Sequence, residues 1–203
     1  NKVKVNLNNK KNIITFVGKL NKAKGYDVFG SSVINILNKH PNWQAIVIGD
    51  EEREKIVFKH KNLNILGFQS HKKVLSIFKQ ASISVVCSRW EEPFGRTSLE
   101  SASRGCAVII TKRGGLPETI TNGIIVDKLS EKNVFNAIDK LIQNKKLRKE
   151  IQKESLNNFN LTNLNASNLI DNYRNEIIKS NQLNIDIKKL KILHVTNFNE
   201  RHN

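Results

Sequence analysis

Short, nearly continuous apolar runs alternate along this chain with longer stretches whose apolar residues recur at helical spacing. Ile13–Val17, Ala45–Ile48, Leu63–Leu66, Ile83–Val86, Ala107–Thr111 and Ile124–Val126 are brief and rich in β-branched residues. Runs of that kind suit strands covered on both faces. Between them Tyr26–Lys39, Glu52–His60, Lys72–Gln80, Gly95–Arg104 and Glu131–Asn144 read as helices. Strand and helix in strict alternation predict an α/β fold built on a doubly wound parallel sheet. The strand spacing is too irregular for a solenoid. Lys145 and Lys146 read as a solvated break before a helix over Leu147–Leu156. Thr162 then caps a last helix, with Leu164, Leu169, Ile170, Tyr173 and Ile177 near helical spacing. Past Ser180 the chain turns polar, and Leu190–Thr196 reads as one more strand. The expected division is a domain over 1–180, then a linker and the first strand of a following unit over 181–203. An edge strand closing the same sheet is the alternative for Leu190–Thr196.

Composition narrows the partners. A chain of 203 residues can bury the core of a single α/β domain. Its 34 Lys+Arg against 18 Asp+Glu leave a formal charge of +16, which favours anionic partners such as phosphates or an acidic membrane face, but a general compositional bias toward Lys, Asn and Ile accounts for most of it. The lysines are spread rather than clustered. With two Trp and two Tyr there is no interleaving of aromatic and basic residues, which argues against nucleic acid. Cys87 and Cys106 lie in apolar contexts and read as buried thiols, with a disulfide still open. No Cys or His spacing suggests a metal site. No apolar run approaches the ~20 residues of a membrane span, and no signal peptide opens the chain. It begins at Asn1 and contains no Met, as expected of a piece of a longer protein.

Two segments carry candidate chemistry. Val17-Gly18-Lys19-Leu20-Asn21-Lys22-Ala23-Lys24-Gly25 follows a strand and precedes a helix. Gly18 permits a tight turn where a ligand approaches, and two ammonium groups there suit a diphosphate. The spacing is neither that of a dinucleotide fingerprint nor of a Walker A loop. Solvated surface lysines are the plain alternative. The second segment, Glu92-Pro93-Phe94-Gly95-Arg96-Thr97-Ser98-Leu99-Glu100, sets two carboxylates eight residues apart across a loop and a helix start. Loops at the carboxyl ends of strands are where open α/β sheets bind ligands. Helix N–H groups suit phosphate, and a nearby Glu accepts hydrogen bonds from sugar hydroxyls. Together these features point to a nucleotide sugar. The plain alternatives are a dipole-favoured Glu100 and a solvated Glu92, and Glu91 rivals Glu92 for the role.

Those residues resemble the E-x7-E motif of retaining GT-B glycosyltransferases of family 4. The resemblance runs from about Ile13 to Ile178. It includes Phe16-Val17-Gly18-Lys19-Leu20 with Lys24-Gly25, Leu66-Gly67-Phe68, the E-x7-E segment, and Gly114-Gly115-Leu116-Pro117-Glu118. It covers the donor-binding, C-terminal half of such enzymes, a Rossmann-like three-layer α/β/α domain. It implies that Lys19 and Lys24 meet the donor phosphates and that Glu100 binds the ribose hydroxyls. Glu92 would lie by the transferred sugar, with Phe94, Gly95, Arg96 and Thr97 around sugar and diphosphate. The Gly67-Phe68-Gln69 turn would lie against the nucleobase. Lys19 stands where Arg is frequent, keeping charge but losing bidentate geometry. Gly114 and Gly115 read equally well as a purely structural turn, and His71 as a surface histidine at a helix start.

The expected activity is transfer from a nucleoside-diphosphate sugar to an acceptor hydroxyl, without metal or cofactor. The resemblance suggests envelope glycan such as lipopolysaccharide, made in the cytoplasm or at the inner membrane face. The acceptor is unknown, and the partner N-terminal GT-B domain is not recognisable in this chain. A sugar-nucleotide epimerase and a non-catalytic nucleotide-sugar-binding module are the alternatives.

Overall fold

A computed structural model describes residues 5–180. Six parallel strands form one sheet in the order β3-β2-β1-β4-β5-β6. They are β1 (Lys11–Val17), β2 (Gln44–Ile48), β3 (Leu63–Ile65), β4 (Ala81–Val86), β5 (Ala107–Thr111) and β6 (Ile124–Val126). Every apolar run anticipated within the described residues is a strand. The helices are α1 (Tyr26–Lys39), α2 (His71–Gln80), α3 (Arg96–Ala102), α4 (Glu131–Gln143), α5 (Lys145–Asn157) and α6 (Asn163–Ser180).

Alternation along each strand divides the core in two. Ile14 and Phe16 of β1, Ala45 and Val47 of β2, Ile83 and Val85 of β4, and Ala107 and Ile109 of β5 join the apolar faces of α1 and α4. Their neighbours Ile13, Ile48, Val108 and Ile110 pack instead against Val74, Ile77 and Phe78 of α2 and Ala102 of α3. A period of two on strands that are apolar throughout feeds both faces, which makes the fold a three-layer α/β/α sandwich. Cys87 and Cys106 are buried free thiols. Burial pushes the Cys87 thiol up to about 12, so it is inert packing.

The order reverses at β1, whose neighbours are β2 on one side and β4 on the other. That switch point opens a crevice between the loops following β1 and β4. At the opposite edge the half-buried Lys10 ammonium donates to the carbonyls of Phe78 (2.8 Å), Ala81 (2.8 Å) and Arg104 (2.7 Å). Burial lowers its pKa, opposed by the neighbouring Cys106.

Three expectations need correction. No helix forms over Glu52–His60. There Ile56 and Phe58 turn inward while Val57 is 69% exposed, the alternation of an extended chain. Phe58 meets Tyr26 edge to face at 5.6 Å, and its ring fills the space that Gly30 leaves beside α1. Lys145 and Lys146 are not a break. Asn144 alone separates α4 from α5, ending one helix and capping the next by accepting from the Leu147 N–H at 2.9 Å. The helix of the E-x7-E segment ends at Ala102, short of Arg104, because Gly105 turns the chain at φ +72°.

One compact unit ends at Leu161 and a second begins at Thr162. In the second, Thr162 accepts from the Asn165 N–H at 3.2 Å and starts α6. The strand expected at Leu190–Thr196 lies outside the described residues. No described helix is long and apolar enough to cross a membrane.

Candidate functional site

The loop after β1 is built by its own backbone. Gly18 N–H bonds to Ile48 and Leu20 N–H to Asp50, tying it to the end of β2. Gly49 fits there only without a side chain, since a Cβ would fall 1.9 Å from the Gly18 carbonyl. Where a Cβ on Gly18 would point, no protein atom lies within 4 Å, so this turn faces open space. Asn21 accepts from the Lys24 N–H at 3.0 Å and donates to Glu51 at 2.9 Å. Arg53 and then Asn21 pull the Glu51 carboxyl down to about 2. Gly25 closes the loop at φ +73° against the Cys87 carbonyl, where any Cβ would collide.

The loop after β4 is clamped from both sides. The Arg89 guanidinium grips Asp27 of α1 with two bonds, 2.6 and 2.8 Å, and the Arg89 N–H reaches the Ala23 carbonyl. Burial raises the Asp27 pKa, but the Arg89 bonds and charge outweigh it and the net shift is down. On the other side Glu91 accepts from the Arg113 guanidinium and the Gly114 N–H. The Gly115 N–H bonds to the Glu92 carbonyl at 2.7 Å. A Cβ on Gly114 or Gly115 would strike the Glu91–Phe94 backbone. The Gly114-Gly115 turn packs against the loop, and Glu91 is its outer fastening, held below the usual carboxylate range by Arg113 and Gly114. Glu92 is the inward acid. Its carboxylate, 12% exposed, rests on the Lys24 ammonium.

Two adjoining pockets result, sharing Val17 and Gly18. The inner one is lined by Lys24, Glu92, Ser88 and the start of α3 at Gly95, Arg96 and Thr97. Gly95 stands before α3 at φ +89°, so no side chain caps that helix. The outer pocket, about 400 Å³, is lined by Lys19, Asp50, Phe68, Gln69, His71 and Glu100. Its volume is in the range of small-ligand sites. In it Glu100 meets the His71 Nε2 at 3.0 Å and the Arg96 guanidinium at 3.4 Å. Phe68 is 78% exposed at its rim. The Gln69 amide donates back to the Leu66 carbonyl at 2.8 Å.

The structure thus gathers Gly18, Lys19, Lys24, Phe68, Gln69, Glu92, Gly95, Arg96, Thr97 and Glu100 around one crevice. Phe94 is the exception, since its ring lines neither pocket. The sequence reading passed over Ser88 and Asp50 and set His71 aside. Ser88 and Asp50 stand just past β4 and β2, and position at a strand's carboxyl end was the available signal. Among the described residues no group of three His, Cys, Asp or Glu is arranged to hold a metal ion.

Comparison with known proteins agrees with this fold. The C-terminal domain of a glycosyl transferase group 1 family protein (LpcC) from Francisella tularensis superposes with a TM-score of 0.63 at 31% identity, covering 71% of this chain and 82% of that one. Spore coat protein SA of Bacillus subtilis is 29% identical over 187 residues, 80% of this chain and 48% of the relative. D-inositol 3-phosphate glycosyltransferase of Corynebacterium jeikeium is 29% identical over 153 residues, 67% of this chain and 36% of the relative. The chain therefore spans about half the length of one curated relative and about a third of the other. The profile of the glycosyl transferases group 1 family matches residues 1–157. A match of that extent, on a parallel sheet with its crevice at the switch point, makes this chain a member of the glycosyl transferases group 1 family.

Proposed function

We propose that this domain binds a nucleoside-diphosphate sugar for transfer to an acceptor hydroxyl. The observation that carries the reading is the pairing of one lysine with one glutamate in each of two pockets that meet at Gly18. The outer pocket takes the nucleoside, with Phe68 at the base and Glu100 toward the ribose hydroxyls. The diphosphate crosses the open face of Gly18 between Lys19 and Lys24. The sugar then lies in the inner pocket beside Glu92 and the N–H groups of Gly95, Arg96 and Thr97.

Charge grows on the diphosphate as the glycosidic bond breaks, and two ammonium groups fixed beside it stabilise that charge without reorganisation. A pair of lysines supplies what a metal supplies elsewhere, so the reaction proceeds in EDTA. Retention of anomeric configuration and a place in family 4 follow from the E-x7-E resemblance. The relatives extend well beyond the matched region, and the acceptor is bound by a part of the protein outside this domain. A net charge of +16 suits work at an anionic membrane face, in keeping with an envelope glycan.

Calorimetry with UDP, GDP and ADP in EDTA tests the donor site. Lys24→Ala and Glu100→Ala each remove a charge-assisted bond worth ~1.5–3 kcal/mol, so each variant binds roughly ten- to a hundredfold more weakly. Wild-type protein that binds none of the three, or variants that bind as wild type, refutes the reading.

A further inference from the structure

Glu100 is the acid assigned above to the ribose, and one of its carboxylate oxygens is already engaged. The His71 Nε2 lies 3.0 Å from Oε1, and an Arg96 nitrogen lies 3.4 Å from that same oxygen. No described side chain bonds to Oε2. A carboxylate can only accept here, so His71 must carry its proton on Nε2 and donate. The two partners are unequal. Arg96 is 79% exposed on a long, flexible stem and its contact is stretched, whereas the His71 ring has two torsions and starts from a rigid base. That base is the first residue of α2, whose N-cap Ser70 accepts from the Lys73 N–H. The cap is intact without the imidazole, so α2 does not depend on His71 for its start. Both His71 and Glu100 line the outer pocket.

We infer that His71 is a positioning residue for ribose recognition. By holding Oε1 it fixes the plane of the Glu100 carboxylate and presents Oε2 to the hydroxyls of a ribonucleotide. The inference rests on the proposed donor site and adds to it the residue that sets its preference for ribose. In this role His71 acts through Glu100.

The ligand's own hydroxyls provide the test. UDP, GDP and ADP and their 2′,3′-dideoxy counterparts are titrated into wild type, His71→Ala and His71→Gln, with thermal melts of each protein. Gln can place an amide N–H near the position of Nε2. For the ribonucleotide that binds best, His71→Ala should lose about five- to tenfold in affinity and His71→Gln should recover most of it. Affinity for the dideoxy counterpart should be the same in all three proteins, and so should the melting temperatures. Equal losses for ribo- and dideoxynucleotide would show that His71 serves the pocket's shape and would overturn the inference. So would an unchanged ribonucleotide affinity in His71→Ala. Wild type that binds both ligand types equally removes the ribose role of Glu100 and His71 together but leaves the diphosphate site standing. Wild type that binds no nucleotide overturns the donor site itself, and the inference with it.

Discussion

Lys24 and Glu92 are bonded to one another. A diphosphate that reaches for Lys24 must therefore compete with a carboxylate already in place. Glu92→Gln keeps the shape and removes the charge. Two unit charges about 4 Å apart attract by ~4 kcal/mol at an effective dielectric of 20. The net worth is smaller, because the Lys24 side chain is 33% exposed, and fully exposed pairs are worth only ~0–1 kcal/mol. With Glu92 12% exposed, roughly 1–2 kcal/mol is a fair cost for opening the pair. Glu92→Gln should therefore bind nucleoside diphosphate and inorganic diphosphate about five- to thirtyfold more tightly than wild type. The gain should shrink as salt rises from about 50 mM to about 500 mM and screens the pair. In a transferase that joins this domain to an acceptor-binding part, the same substitution should cripple transfer, since Glu92 is proposed to lie beside the sugar. Calorimetry at both salt concentrations and a transfer assay supply the readouts. Diphosphate binding that is unchanged or weaker in Glu92→Gln would mean that the ion pair does not oppose the ligand, and the argument fails.

Two further substitutions probe how the loops are held. Asp27→Asn cuts the bidentate grip of Arg89 and should cost ~1 kcal/mol at neutral pH, read from urea unfolding. The folded Asp27 pKa is lowered, so its contribution is full above the unfolded value of ~3.9 and is lost as pH falls through the folded value. Wild type and variant should thus converge in acid, and a gap that persists there would deny the role to charge. Gly25→Ala forces a left-handed residue to carry a Cβ that would sit 1.9 Å from the Cys87 carbonyl. The backbone term alone is ~1–2 kcal/mol, and the collision must also shift the Lys24 loop. Both melting temperature and diphosphate affinity should drop, and a variant that matches wild type in both would refute the close approach.

Local pattern was enough to read the sheet. Each strand is a short apolar run, and burial on both faces needs only that the run be continuous, whatever packs on it. The two loops that bear Lys19, Lys24 and Glu92, and the helix start that bears Glu100, were legible for the same reason. Strand, glycine turn and helix follow one another directly in the chain, and the topology places such loops at the carboxyl edge. What sequence could not show depends on residues far apart in the chain. Lys10 and Lys11 are neighbours of one type, yet Lys10 is half-buried while Lys11 is exposed, because three carbonyls from α2, β4 and the turn after α3 converge on Lys10. Glu52–His60 has helix-forming residues, but Phe58 gains more by packing against Tyr26 and Gly30 of α1 than a short helix gains from its own bonds. The motif favours Glu92 over its neighbour Glu91, and only the tertiary contacts show that Arg113 and Gly114 hold the first acid of the pair while Lys24 holds the second. His71 looked like an ordinary surface histidine because its partner Glu100 lies on another helix, and only the packing of α2 beside α3 brings imidazole and carboxylate together.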